Sequence, residues 1–115
     1  MIASLALLTV LTACSEPAMT HRVLVHLTIT DAEGYAAYRA GMEPILAEHG
    51  GRFVLDVEGG TRIHHDAPFA PGRTLLIEFP DAGRAEAFYA NPAYVDVRDR
   101  WFTPSVSDTH ATVLQ

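Results

Sequence analysis

The stretch from Arg73 to Tyr94 constrains the fold more than any other part of the chain, because it spells a strand, a capped turn, a short helix and a stop in direct succession. Leu75, Ile77 and Phe79 alternate with Thr74, Leu76 and Glu78, the period of a half-buried strand. Pro80 ends the strand. Asp81 can cap the amides of the next turn, and Ala82, Ala85, Phe88 and Tyr89 then form the apolar side of a helix. Asn91-Pro92 breaks that helix and opens a further turn through Tyr94, Val97 and Trp101, which stops at Pro104. Within the strand, Glu78 sets a carboxylate where an apolar residue is expected, and it is the first candidate for a functional role.

The rest of the chain supplies partners for this unit. From Arg22 to Thr30, Val23, Val25, Leu27 and Ile29 fall on one face and Leu24, His26 and Thr28 on the other. Thr30 with Glu33 fits a capping box, and Tyr35, Tyr38, Met42, Ile45 and Leu46 recur at helical spacing behind it. Pro44 predicts a kink or a local opening in this helix, and Gly50-Gly51 predicts its end. Arg52 to Glu58 alternates again: simple period-two reading puts Phe53, Leu55 and Val57 on the apolar face and Val54, Asp56 and Glu58 opposite.

Gly59 to Gly72 is rich in glycine and proline and reads as a long connection holding Arg62-Ile63-His64-His65-Asp66. Adjacent residues of an extended chain point opposite ways, so this run is a weak metal ligand set and reads as a solvated loop. Thr109 to Leu114 completes the chain as a fourth, short strand.

The order β-α-β-β-α-β closes as a ferredoxin-like α+β domain over residues 21–115: a four-stranded antiparallel sheet with the first and third strands central and both helices on one face. The other face then carries Leu24, His26, Thr28, Thr74, Leu76 and Glu78, with Val54 and Asp56 beside them. It is too apolar to stay wet, so a second copy of the chain is the expected cover, giving a homodimer through the open face. Glu78 and His26 are expected there as diagonal neighbours. On one reading burial raises the carboxyl and lowers the imidazole, making an acid–base pair or a hold for a polar ligand. On the other, Glu78 pairs with an arginine such as Arg52 or Arg100 and fixes the dimer.

Composition narrows the function classes. The chain has 115 residues, room for one domain, and a formal charge of −6 with no lysine; its arginines are scattered, so no basic stripe offers itself to nucleic acid. No nucleophile triad order, phosphate-cradling glycine loop or dinucleotide fingerprint is visible, and no cofactor or metal is expected. Cys14 is the only cysteine, which excludes an intrachain disulfide.

The N-terminal region reads as an address. Residues 1–13 are uncharged beyond the α-amino group and mostly apolar, too short to span a bilayer but suited to a secretory signal. The ending Leu11-Thr12-Ala13-Cys14 resembles the lipobox of bacterial lipoproteins, which implies lipidation of Cys14, residues 14–20 as a tether, and a place in the cell envelope. With Ser15 next, the outer membrane of a Gram-negative cell is implied, and the lipid is the only membrane attachment. The alternative is translation from Met19 and a cytoplasmic protein.

Asp31-Ala32-Glu33-Gly34-Tyr35, Tyr38-Arg39, Pro44 with Gly50-Gly51-Arg52-Phe53, Arg73 running into Ile77-Glu78-Phe79-Pro80, and Tyr89 with Asn91-Pro92-Ala93-Tyr94 are together similar to the DUF1330 family of dimeric α/β-barrel proteins. The resemblance implies a ferredoxin-like protomer that pairs face to face into a barrel, with no activity common to the family. The wider superfamily holds cofactor-independent monooxygenases, so such an enzyme, with Glu78 and His26 in the barrel interior, is the alternative to a ligand-binding or structural role. An arginine of the family falls at Trp101 in ungapped register, beside Arg98 and Arg100. The candidate pocket is thus His26, Glu78, Tyr94, Arg98 and Arg100.

Overall fold

A computed structural model describes residues 19–59 and 72–114. The apolar leader with Cys14 and the His64-His65-Asp66 run lie outside the described residues. The elements are β1 (His21–Ile29), α1 (Ala32–Glu48), β2 (Arg52–Glu58), β3 (Arg73–Phe79), α2 (Ala82–Ala90), α3 (Pro92–Val97), a π-helical turn (Arg98–Phe102), a 3-10 turn (Thr103–Ser105) and β4 (Val106–Leu114). The strands form one antiparallel sheet in the order β2-β3-β1-β4. This is the expected ferredoxin-like α+β architecture, with β1 and β3 at the centre.

The core follows from the alternation of the two central strands. Val23 pairs with Ile77 and Val25 with Leu75, so their side chains share one face. These four, with Leu27 and Phe79, are buried beneath Tyr35, Tyr38, Met42 and Leu46 of α1, Ala85 and Phe88 of α2, and Tyr94 of α3. Phe79 and Phe88 meet with ring centroids 5.6 Å apart at its centre, both fully buried.

The helix ends show why the chain turns where it does. Asp31, one residue later than the expected Thr30, caps α1: its Oδ1 accepts from the Gly34 amide at 3.2 Å. Thr30 and Asp31 instead give their own amides to the Ser105 carbonyl, at 2.8 and 3.2 Å, which ties this turn to the entry of β4. The helix passes Pro44 without a break, because Pro44 lies on the exposed side, where water can serve the carbonyl that loses its donor. It ends in paired bonds from the amides of Gly50 to Ala47 and Gly51 to Leu46, with Gly50 at φ 72°, the left-handed cap for which glycine is suited.

Two irregularities shift the phase of side chains relative to simple periodicity. In β2, Phe53 pairs with Ile77 but Leu55 pairs with Leu76, so Val54 is an extra residue. Beyond it the faces exchange: Leu55 and Val57 go to the open face, while Asp56 and Glu58 go to the helix side opposite Leu75 and Arg73. The expected placement of Leu55 and Val57 under the helices, and of Asp56 on the open face, is therefore corrected. After α3, the wide π-helical turn adds a residue to the turn, and Phe102 packs against Tyr38 at 4.7 Å while Trp101 is exposed. β4 is also longer than expected and holds a bulge at Asp108, whose φ is 49°.

Candidate functional site

The open face is built of cross-strand rows. Arg22, Glu78 and Arg52 form one row; Leu24, Leu76 and Leu55 the next; His26, Thr74 and Val57 the third. Glu78 is clamped between two guanidiniums: Arg22 Nε donates to Oε2 at 2.9 Å, and Arg52 Nη2 and Nε donate to Oε1 at 2.8 and 3.2 Å. Only 16 % of the Glu78 side chain remains exposed. Hydrogen bonds from Arg52 and then Arg22 hold its carboxyl below the usual carboxylate range, the reverse of the shift expected from burial alone.

His26 does not meet Glu78. The register pairs His26 with Thr74 and Glu78 with Arg22, so the two lie four residues apart along the strands, about 13 Å. The His26 ring instead hydrogen-bonds the Thr74 hydroxyl through Nδ1, at 3.1 Å. Tyr94 is on the other side of the sheet, under the helices. Arg98 hydrogen-bonds its neighbour Asp99 at 3.0 Å, and Arg100 faces Asp96 at 3.6 Å rather than Glu78. The five residues singled out in the sequence thus do not converge within one protomer.

What does converge is on the helix side. A cavity of about 150 Å³ lies between the sheet and the helices. Val25, Leu27, Leu75 and Ile77 of the central strands line it, with Tyr38 and Met42 of α1, Phe88 of α2, Tyr94 of α3 and Phe102 opposite them. Phe53 and Arg39 flank it on the β2 side, and Thr109, Ala111 and Tyr89 on the β4 side. An open apolar groove along α2 and β4 shares Tyr89 and Ala111 with the cavity as lining residues.

The polar atoms of this cavity are few. Tyr38 and Tyr94 hydroxyls hydrogen-bond each other at 3.1 Å, each residue almost wholly buried. Burial, and then the neighbouring Tyr94, push the Tyr38 phenol well up. Burial also raises Tyr94, against a smaller opposing effect of its bond with Tyr38, and it pushes Tyr89 to about 12. These hydroxyls keep their protons across the physiological range and serve as hydrogen-bond donors.

At the β2 side stands a charged cluster that period-two reading missed. Arg39 gives Nε and Nη2 to Glu43, at 2.9 and 2.6 Å, and Nη1 to Asp56 and to the Tyr35 hydroxyl, at 2.9 and 3.4 Å. Its guanidinium lies 3.9 Å from the Phe53 ring centroid. Arg73 donates to the other Asp56 oxygen at 2.7 Å and to Glu58 at 3.0 Å. Burial would raise the Asp56 carboxyl, but hydrogen bonds from Arg73 and Arg39 outweigh it and hold the group below its ordinary value. The signal that could have found the cluster was Tyr35, Arg39 and Glu43 in consecutive i, i+4 steps on α1.

The sequence pattern of the DUF1330 family, described as a domain of unknown function, matches residues 22–109. The chain belongs to the DUF1330 family. Solved structures share its fold at low identity. A protein of unknown function from Rhodopseudomonas palustris is 17 % identical with a TM-score of 0.75, over 83 % of this chain and 80 % of that one. A dabb family protein with a ferredoxin-like fold from Mesorhizobium loti is 16 % identical with a TM-score of 0.60, over 84 % and 95 %. SnoaB, a cofactor-independent oxygenase from Streptomyces nogalater, is 14 % identical with a TM-score of 0.58, over 85 % and 93 %. Comparison with curated proteins found no match. At these identities the DUF1330 chain and its structural neighbours share an architecture, and its chemistry has to be read from its own residues.

Proposed function

We propose that this DUF1330 protein is a binding protein for a small apolar molecule, held in the cavity between sheet and helices, and that it works as a homodimer joined through the open sheet face. The observation that carries the first part is the cavity itself: about 150 Å³ of space walled mostly by aromatic and aliphatic side chains, with an apolar groove beside it that shares Tyr89 and Ala111. An apolar cavity of about that volume in another protein stays dry and admits benzene. The dimer is supported by the half-buried Leu24 and Leu76 and the exposed Leu55 and Val57, which make one apolar band across the open face. Glu78 then serves there by holding Arg22 and Arg52 in place, the lock rather than the acid–base role. An envelope location with a lipid on Cys14 goes with this reading, and the mass of the mature N-terminus tests it: a chain starting at Met19 or Thr20 would refute the anchor.

A cofactor-independent oxygenase shares the fold, but the cavity wall weighs against that activity here. Its described lining holds no carboxylate and no imidazole, and burial holds the Tyr38, Tyr89 and Tyr94 hydroxyls protonated, so these offer donors and no base to take a proton from a substrate. The binding reading is tested by thermal denaturation with and without toluene. A ligand at a hundred times its Kd stabilises a fold by about 2.7 kcal/mol, a rise in Tm of roughly 10 °C or more for a domain of this size. Ala111→Phe, on the exposed edge strand and in the wall of both the cavity and the groove, should abolish that rise while leaving the unliganded Tm close to wild type. Equal response in both proteins would sink the assignment of the cavity.

A further inference from the structure

We propose that Tyr89 is the specificity-determining residue of this site: its ring divides one long apolar channel into the cavity and the open groove, and so limits the bound molecule to one-ring size. The proposal rests on the binding reading above and names what sets the length of the ligand.

The two spaces follow one another along the same strip of sheet. On the helix-facing row of β4, Thr109 lines the cavity, Ala111 lines both spaces and Val113 lines the groove. The same order recurs on β1, with Leu27 and Val25 in the cavity and Val23 and His21 in the groove. The two rows run in step, because Val25 pairs with Ala111 and Val23 with Val113. Residues two apart on a strand share a face and lie about 7 Å from each other, so the cavity gives way to the groove within one such step. On the β4 side that boundary carries only the methyl group of Ala111.

Above the boundary stands Tyr89 of α2, which also lines both spaces. Its helix neighbours divide between them: Phe88 faces the cavity, and Ala85 and Ala90 face the groove. The Tyr89 ring centroid lies 5.1 Å from that of Phe88 and 5.8 Å from that of Tyr94, both in the cavity wall, yet the residue is 37 % exposed. A ring so placed has one side on the cavity's aromatic wall and the other on the groove.

The volumes give the consequence. A cavity of about 150 Å³ holds a single ring, whereas clefts for larger organic ligands run to roughly 300–1,000 Å³. The groove has about 570 Å³ of open space, so cavity and groove joined would fall in the larger class. With Tyr89 in place the ligand ends at its ring. With the tyrosine side chain removed, an alkyl chain on that ring can run on between Val23 and Val113.

The test is an alkylbenzene series from toluene to pentylbenzene, with binding to the full folded chain measured by headspace partition. A fully buried methylene strengthens binding about fourfold. In wild type the gain should stop once the alkyl group reaches Tyr89, so that pentylbenzene binds no tighter than ethylbenzene. In Tyr89→Ala the affinity should keep rising, by about two- to fourfold per methylene, because the open groove covers only part of the chain. Adding Val113→Trp, on the exposed edge strand and in the groove wall alone, should cancel that gain and leave toluene binding as it is in Tyr89→Ala. Met42→Ala enlarges the cavity from α1, whose residues do not line the groove, and should not bring the gain. The wild-type series needs no variant and keeps the test valid if Tyr89→Ala folds poorly. An unbroken rise through pentylbenzene in wild type, no gain in folded Tyr89→Ala, an equal gain in Met42→Ala, or a gain untouched by Val113→Trp would each overturn the partition. If no member of the series binds any of these proteins, the binding reading itself falls.

Discussion

Replacing Asp56 with asparagine isolates the consequence of the extra residue in β2. The carboxylate accepts from Arg73 at 2.7 Å and from Arg39 at 2.9 Å, and its side chain is 23 % exposed. Charge-assisted hydrogen bonds contribute about 1.5–3 kcal/mol each when well buried. Here partial exposure screens the charges, and Glu43 and Glu58 remain as second partners for the two arginines, so the pair together is taken at about 2 kcal/mol. For a domain of this size that corresponds to a fall in Tm of roughly 8–16 °C.

The acid dependence gives a second reading of the same variant. Asp56 has a folded pKa below its ordinary value of 3.8, so its contribution is present above that value and is lost as pH falls through the folded pKa. Thermal melts followed by circular dichroism should show a constant gap between wild type and Asp56→Asn from about pH 5 to 8, closing below about pH 4. A Tm within about 2 °C of wild type at neutral pH, or a gap undiminished near pH 2, would refute the reasoning. If Asp56 stood on the open face, the variant would change self-association and leave the protomer's own stability alone.

Further outcomes follow from other contacts. Glu78→Gln should shift the protein toward monomer in sedimentation equilibrium, because Arg22 and Arg52 lose the charge that holds them, while far-ultraviolet dichroism stays unchanged; an unaltered association constant would count against the lock. Phe88→Ala removes a fully buried ring at the junction of α2 with the sheet and should cost about 3–5 kcal/mol in urea denaturation, with a loss under about 1 kcal/mol contradicting its place in the core. Gly34→Ala trades a gain in helix propensity of about 1 kcal/mol for collision of the new methyl with Ser105 and the capping Asp31, so net destabilisation of about 1–2 kcal/mol is expected; a stabilised variant would show that the approach of β4's entry to α1 is loose.

The fold was legible because its central parts obey their periods. β1 and β3 alternate without interruption, and Asp81, Asn91 and Gly50 stand where caps and stops need them. The site was less legible for two physical reasons. A strand's bulge leaves no mark in composition: Val54 looks like any other strand residue, yet it sends Asp56 to the arginines of the helix side. Cross-strand register also depends on where two strands meet, which separated His26 from Glu78 although each was correctly put on the open face. Tyr38 was read as part of the apolar stripe of α1 and Tyr94 as a pocket residue beside His26 and Glu78; that their hydroxyls instead meet each other on the helix side becomes visible only when α3 is laid over α1.

The extra residue at Val54 also makes the length of β2 and the charge of its surroundings a single character. Excising that one codon would restore plain alternation, and in one step would drive Leu55 and Val57 beneath the helices and turn Asp56 and Glu58 outward, stranding Arg39 and Arg73 without their shared carboxylate. No single substitution alters both surfaces at once. Relatives one residue shorter in this strand should therefore lack arginine at the positions of Arg39 and Arg73 as well, and a lineage that loses the residue would have to remake its partner face and its helix face together.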